Sequence, residues 1–280
     1  MRRWSMLLGL PLVITLVVVG GFGPGCGGSS DNPTISGPQP PELPPQSTFI
    51  MDFDDFDVSA GIARMEQPLL AQAGTYWGHA AFRVLVWDVI IGIGMAVPSA
   101  AFVEAFQHTP VQQADSSWDW TYSITSGVQH TCRLNGKVNG SEVQWHMYLT
   151  KDGFFEDYPW YSGSHDLALT EGSWILNRDP ELPNPFLSIE WHRDPATNTG
   201  DLKYTNIIPG DAENGGYIFY GSTTGGTYDR FYDIYNKGLE NLTEIEWNHP
   251  VGNGRIKDPN LFGNSSWHCW DGTLENVICP

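Results

Sequence analysis

The sequence predicts an α+β fold, with N-terminal apolar helices packed on a large curved antiparallel β-sheet. Three observations support this prediction. Residues 76–107 are mostly apolar and lack strand-like alternation, residues 115–280 contain repeated alternating segments, and tight-turn pairs such as Asn135-Gly136 separate those segments. This rhythm is typical of a meander, which is either an open curved sheet or a partly closed β-barrel.

Composition limits the classes of function. The chain has 280 residues, and its 32 acidic residues outnumber its 14 basic residues, which gives a formal net charge of −18. An acidic surface repels phosphate backbones, so we expect no nucleic-acid partner. The length is sufficient for one large domain or two small ones.

The N-terminus has the layout of a secretory signal. Arg2 and Arg3 precede an apolar run at residues 6–21, and small residues follow that run. This order of basic, apolar and small-residue regions predicts a signal peptide over residues 1–25.

A cysteine directly follows the predicted signal peptide. Residues 23–27 read Gly-Pro-Gly-Cys-Gly and resemble the lipobox of bacterial lipoproteins, although that family prefers Leu where Gly23 stands and Ala or Ser where Pro24 stands. The resemblance implies that Cys26 is lipidated and that Gly27 directs the protein to the outer membrane of a bacterial cell envelope. The acyl group would then attach the protein to the membrane without spanning it. The alternative is an ordinary cleaved signal with a free cysteine.

Three further segments follow. Residues 26–47 are rich in Gly, Ser and Pro and predict a tether, because this composition forms no core. Residues 48–114 form the predicted helical segment, and residues 115–280 form the predicted sheet or barrel in the same domain. Helices are expected at 76–95 and 98–107, since Pro98 ends the first and is tolerated in the first turn of the second.

The apolar helical residues have two possible surroundings. A helix that is apolar on all sides is buried in a protein or lies in a membrane. Burial against the sheet is favoured, because Asp88 and Pro98 interrupt the run and basic anchors do not flank it. A membrane span is the alternative.

A short pattern occurs three times in the predicted sheet. Each copy places a β-branched residue and a Trp two positions apart, with polar residues between and after them. The apolar pairs are Val143/Trp145, Ile189/Trp191 and Ile245/Trp247, and the polar pairs are Gln144/His146, Glu190/His192 and Glu246/Asn248. Alternate side chains of a strand point to opposite faces, so each strand has one apolar and one polar face.

The polar positions of the repeats contain the candidate site residues. His146, Glu190, His192 and Glu246 would bind a metal or act as acid and base if neighbouring strands brought them together. The alternative is a solvated face with cross-strand polar pairs. The sequence has none of the common catalytic, phosphate-binding or zinc motifs, so no catalytic residue, cofactor or metal is predicted. Ser164, His165 and Asp166 are adjacent and are interpreted as part of a loop. They are not predicted to form a catalytic triad, because a triad needs side chains that converge from separate elements, whereas adjacent side chains diverge.

Three cysteines remain if Cys26 is acylated. Cys269 and Cys279 are the expected disulfide, because they are close in sequence, and Cys132 is then free. Residues 267–271 read Trp-His-Cys-Trp-Asp and are either a packed closing strand or the rim of a pocket. This string and the three repeats resemble uncharacterised secreted bacterial lipoproteins, a resemblance that implies no activity.

Three functions are consistent with the sequence. The first is a non-catalytic structural or partner-binding role in the cell envelope, with the aromatic residues forming the core. The second is a carrier of a hydrophobic or amphiphilic ligand, since the expected architecture is similar to the half-barrels of periplasmic lipid carriers; it predicts an apolar cavity under the helices. The third is a carbohydrate-binding or glycan-hydrolysing protein, which ranks last and requires exposed aromatics and a carboxylate pair such as Glu190 and Glu246.

Overall fold

The computed structural model describes residues 38–56, 74–126 and 128–280. The predicted signal peptide, the proposed lipidation site Cys26 and residues 26–37 of the predicted tether lie outside this part of the chain. Residues Gln39–Pro280 form one compact unit. The last residues of the predicted tether belong to it, because Pro41 and Pro44 are buried and Leu43 packs against the core.

A single antiparallel sheet of fourteen strands dominates the protein, and each strand pairs with the strands next to it in sequence. The strands are β1 Val111–Gln112, β2 Trp118–Ser126, β3 Val128–Asn139, β4 Glu142–Lys151, β5 Phe155–Asp166, β6 Glu171–Asp179, β7 Leu182–Asp194, β8 Thr199–Asn206, β9 Tyr217–Ser222, β10 Arg230–Asn236, β11 Asn241–Trp247, β12 Gly254–Lys257, β13 His268–Trp270 and β14 Asn276–Val277. The predicted meander is therefore correct.

The alternative of a partly closed barrel is wrong. Within the described residues, β1 pairs only with β2 and β14 pairs only with β13, so the sheet is open. Both end strands have only two residues. Short edge strands expose few unpaired backbone groups, which limits further strand addition.

The predicted loop around Ser164 is also wrong, because residues 155–166 form β5. His165 is in register with Val143 on one side and with Gly172 on the other. Ladder hydrogen bonds to two neighbouring strands hold the segment extended, and adjacent side chains of a strand still diverge, so no triad forms from these residues.

One bent helix replaces the two predicted helices. Helix α1 spans Tyr76–Ala105, and the Thr75 side chain caps its first turn by accepting a 3.0 Å hydrogen bond from the Gly78 amide. Its arms, Tyr76–Gly92 and Gly94–Ala105, are bent by 69°. Pro98 does not end the helix. A proline ring clashes with the carbonyl four residues earlier, here that of Gly94, so the distortion falls one turn before the proline.

Taken singly, no helix among the described residues is long and apolar enough to cross a membrane. The two arms of α1 meet the length and composition requirements only together, across the bend. A second helix, α2, is a single turn at Pro259–Phe262.

Helix α1 and the segment before it pack on one face of the sheet. Phe102 of α1 lies 5.5 Å from the ring of Trp174, and Tyr122 donates a hydrogen bond to the Ala101 carbonyl. The preceding segment contains 3₁₀ turns at Gln46–Thr48 and Asp54–Phe56. Its backbone is fixed by Tyr204, whose hydroxyl donates to the Phe49 carbonyl and accepts from the Met51 amide, both at 2.8 Å.

The period-2 prediction for the three repeats is confirmed by burial. The apolar pairs on β4, β7 and β11 are all at most 3% exposed. Their polar partners are exposed on β4 and β7 and half-buried on β11. The second and third copies also begin equivalent hairpins, since Glu190 is in register with Lys203 and Glu246 with Arg255.

Several buried tryptophans lie flat over a glycine on a neighbouring strand. A Cβ at Gly136 would lie 2.4 Å from the Trp145 ring, and a Cβ at Gly163 would lie 2.4 Å from the Trp174 ring. Trp191 covers Gly172 in the same way. The glycines are required by this close approach, and the rings cover backbone that a glycine leaves bare.

Candidate functional site: a cavity between helix α1 and the sheet

The four polar residues singled out in the sequence do not meet. His146 is on β4, Glu190 and His192 are on β7, and Glu246 is on β11. Adjacent strands are about 4.8 Å apart, so Glu190 and Glu246 are separated by about 19 Å across four strand spacings. In this meander the order of strands in the sheet follows the order in sequence. The three repeats are on β4, β7 and β11, so other strands lie between them.

Each member of the row has local surroundings instead. The His192 Nδ1 atom is 2.8 Å from a carboxylate oxygen of Asp201 on β8. Glu246 accepts a 2.7 Å hydrogen bond from Arg255 Nε on β12. These are cross-strand polar pairs, the alternative considered for this row. In the part of the chain that the structure describes, no three His, Cys, Asp or Glu side chains are grouped to hold a metal ion.

The cysteines occupy structural positions. Cys269 of β13 and Cys279 form a disulfide, which fastens the C-terminal end to the sheet. Cys132 is free and fully buried. Burial, with a smaller effect of the Glu104 carboxylate, raises the pKa of the Cys132 thiol to about 12, so it stays protonated and unreactive at neutral pH.

A cavity of about 420 Å³ lies between helix α1 and strands β7–β11. Most of its wall is apolar. The lining residues are Arg83, Val86, Trp87, Ile90 and Ile91 of α1, with Phe186, Leu187, Asn206, Ile208, Asp211, Glu213, Gly216, Ile234, Tyr235, Asn236, Leu239, Asn241 and Thr243. The volume lies within the range of about 300–1,000 Å³ that small-molecule sites occupy.

The helix side of the cavity comes from one face of α1. Val86, Ile90, Trp87 and Ile91 form two pairs at i and i+4, so they project together. Ile91 is 7% exposed, whereas Val86 is 44% and Ile90 is 54% exposed. The cavity thus has a buried apolar interior and an apolar opening.

The bend of α1 helps to define the cavity. A Cβ at Gly94 would lie 3.3 Å from the Phe186 ring, so this ring packs against the helix just after the bend. Phe186 and Leu187 come from β7, and Ile234 comes from β10. Asn206 of β8 and Asn241 and Thr243 of β11 also line the cavity, so β7, β8, β10 and β11 build its sheet side.

A buried carboxylate anchors the polar part of the wall. Asp258 is completely buried, and one of its oxygens accepts from Arg83 Nε at 2.9 Å. Asn241 and Thr243 donate to the same carboxylate at 2.8 and 2.9 Å, and the Leu261 amide donates at 3.1 Å.

These contacts keep Asp258 charged. Burial alone would raise its pKa, but the hydrogen bonds from Asn241, Leu261 and Thr243 and the charge of Arg83 outweigh burial and hold the pKa below its usual value. The ionised carboxylate fixes the guanidinium of Arg83 at the cavity.

Local sequence patterns indicate only one part of this site. Asp258 before Pro259 is a helix-start signal, and Asp258 does cap α2. Its partner Arg83 is 175 residues away in sequence, so no local pattern connects them. No protein-family model matches the chain, and neither a curated protein nor a solved structure matches it.

Proposed function

We propose that this protein is a lipid-anchored protein of the bacterial cell envelope that binds an apolar or amphiphilic molecule in the cavity between α1 and the sheet. The cavity is the observation that supports binding. It provides apolar walls, a volume of about 420 Å³ and a few polar groups on one wall, which is the usual composition of a small-molecule site.

The partly exposed lining strengthens this proposal. Val86, Ile90 and Leu239 are 44%, 54% and 62% exposed, and all three line the cavity. Exposed apolar side chains grouped at an opening mark a binding site more often than scattered ones. Covering them would remove apolar surface from water, at about 25 cal/mol per Å².

A first experiment measures what the protein carries. The full chain is purified and studied by native mass spectrometry and solvent extraction, which releases only molecules that are not covalently attached. We expect a stoichiometric amphiphile in the extract and saturable binding of the dye Nile red by the emptied protein. An extract without amphiphile and dye binding without saturation would refute the proposal.

A matched pair of variants locates the site. Val86 lines the cavity and Val89 does not, yet they lie on the same helix and are 44% and 50% exposed. An indole at position 86 fills the opening, so Val86→Trp should weaken Nile red binding about tenfold, equivalent to about 1.4 kcal/mol. Val89→Trp should leave the affinity unchanged. Equal effects of the two substitutions would place the dye elsewhere.

The structural or partner-binding role stays a prediction. Phe82 and Val89 of α1 are 55% and 50% exposed and lie outside the cavity lining, which favours contact with another surface. This role alone requires no saturable ligand site, so the Nile red titration separates it from the carrier.

The carbohydrate alternative has no support in the geometry. Glu190 and Glu246 are separated by about four strand spacings, whereas the carboxylates of glycosidases lie about 5–9.5 Å apart. The large aromatic side chains Trp145, Trp174, Trp191 and Trp270 are at most 2% exposed and are therefore core residues, not a platform for sugar rings.

A further inference from the structure

We infer that the cavity selects a neutral amphiphile whose head group accepts hydrogen bonds, such as an acyl ester or acyl amide. This inference rests on the proposed function and specifies the ligand of the same cavity. It follows from the hydrogen-bonding groups and charges that line the wall.

Asp258 does not use all the N–H donors of Arg83. Its Nε and Nη2 atoms both contact the same Asp258 oxygen, at 2.9 and 2.8 Å. A guanidinium carries five N–H groups, so three of them have no protein partner among the described residues. The side chain is 31% exposed and lines the cavity, so a ligand can reach these groups.

Two asparagines add further donors. The Asn206 side-chain oxygen accepts from the Ile208 amide at 2.9 Å, and the Asn236 oxygen accepts from the Leu239 amide at 2.8 Å. These bonds fix the oxygen of each amide, so each NH₂ group is left as a donor. Neither NH₂ group has a bonding partner in the part of the chain that is described. The unused groups therefore call for a ligand with acceptor oxygens.

The charges on the wall disfavour an anion. Among the described residues, Arg83 is the only basic one in the lining, and Asp258 neutralises it. Asp211 and Glu213 also line the cavity, and the Glu213 carboxylate accepts from the Lys237 and Gly238 amides, at 3.0 and 3.2 Å. A carboxylate head would face two like charges in a partly desolvated site.

A cationic head would be attracted by Asp211 and Glu213, but it would lose the hydrogen bonds that the wall offers. A quaternary ammonium group has no acceptor, so it would cover the donors of Arg83 and the asparagines without bonding them. Burying donors without an acceptor is unfavourable, because their hydrogen bonds to water are lost and not replaced. An ester or amide carbonyl avoids both penalties, because it accepts hydrogen bonds and carries no charge.

Three ligands with the same twelve-carbon chain length test this selectivity. Monolauroylglycerol, dodecanoate and dodecyltrimethylammonium are titrated into the full chain by isothermal calorimetry, each below its micelle concentration. We expect the neutral ester to bind about tenfold more tightly than either charged ligand, or about 1.4 kcal/mol.

Two substitutions separate charge from hydrogen bonding. Asp211→Asn should improve dodecanoate binding about threefold, or about 0.65 kcal/mol. Asp152→Asn, at an exposed position outside the cavity lining, controls for net charge. Arg83→Met should weaken the ester about tenfold. Arg133→Met, which removes another Arg–Asp pair, is the control, and thermal unfolding reports whether each variant is folded.

The outcomes are distinguishable. If none of the three ligands binds and Nile red binding does not saturate, the proposed function itself is refuted; if Nile red binding saturates but none of the three ligands binds, the inferred head group is wrong. If dodecanoate or the ammonium compound binds as tightly as the ester, the carrier function stands and the inferred head group is wrong. If Arg83→Met binds the ester as well as the parent protein does, the donors of Arg83 do not select the ligand.

Discussion

Two regions of the sheet use the same meander in different ways. In the tryptophan region, strands β2–β7, the buried face is filled by Trp120, Trp145, Trp174 and Trp191. In the cavity region, which comprises Phe186, Leu187 and the parts of β8, β10 and β11 beneath α1, the lining includes smaller side chains such as Ile234 and Thr243, and a 420 Å³ cavity remains. Tyr204, Tyr232 and Trp247 of the same strands are buried outside this lining.

The difference shows that side-chain volume determines whether this face of the sheet is filled by its own residues or leaves a cavity for a ligand. Trp145, Trp174 and Trp191 keep their indole N–H groups without a partner among the described residues, so they contribute through apolar contact. The cavity region instead contains a hydrogen-bonded buried carboxylate, Asp258, beside lining residues with unused donors. Tight core packing and the proposed ligand site therefore occupy different parts of one sheet.

The largest expected contrast compares a large-to-small substitution in each region. Trp191→Ala should lower the free energy of unfolding by about 4 kcal/mol, because it opens a void in a filled core. Ile91→Ala should cost about 2 kcal/mol, because Ile91 already borders empty space and loses fewer contacts. Urea unfolding of both variants measures the difference. Equal losses would mean that the two regions are packed alike.

The tryptophan-over-glycine contacts give the second prediction. A Cβ at Gly163 would lie 2.3 Å from the Ser173 carbonyl oxygen and 2.4 Å from the Trp174 ring. Because backbone cannot move aside easily, Gly163→Ala should cost about 3 kcal/mol in thermal unfolding. Gly92→Ala in helix α1 is the control, since nothing lies within 4 Å of its Cβ. It should be neutral or stabilise by up to about 1 kcal/mol, and a comparable loss there would argue against the close contact.

The smallest effect concerns the opposite face of the cavity region. Burial, with the nearby carboxylates of Glu244 and Glu246, raises the pKa of Asp233 to about 6, against the smaller opposing effect of Lys257. Tyr217 also faces this group. Because the folded pKa is above the unfolded value of about 3.9, the folded protein retains a proton that the unfolded chain releases. This group therefore makes stability fall as pH rises from about 4 to 6.

Asp233→Asn should remove that dependence. Asp233 is only partly buried, so after discounting for solvent screening we expect the variant to be about 1 kcal/mol more stable at pH 7 and unchanged near pH 4. Chemical unfolding across pH 4–7 measures the difference in free energy of unfolding between the variant and the parent protein, with Asp152→Asn as an exposed control. A constant difference across that range would exclude titration of Asp233 as the cause.

Some features of the fold follow directly from local patterns. Alternation predicted which residues of the three repeats are buried, and turn pairs predicted an antiparallel meander. One of those pairs, Asn135-Gly136, was wrong as a turn, because both residues lie inside β3 and pair with β4. The same reasoning failed where neighbours in space override composition. Gly163 and His165 belong to a strand because β4 and β6 bond to it, and Pro98 bends α1 one turn earlier instead of ending it.

The candidate site could not be predicted from patterns of residues close together in sequence. The same sequence pattern contains His146, Glu190, His192 and Glu246. A shared pattern does not specify the distance between these side chains in the folded protein. Arg83 and Asp258 are brought together only because α1 lies across strands whose sequence positions are remote.

The sequence by itself determined the alternation of the strands and the apolar character of α1, because each depends on residues close along the chain. Only the tertiary structure decided that the sheet stays open, that Trp145 and Trp174 lie over glycines, and that a void remains beside Arg83. These features depend on register and on the volumes of side chains from distant segments, which are fixed only when the whole chain packs.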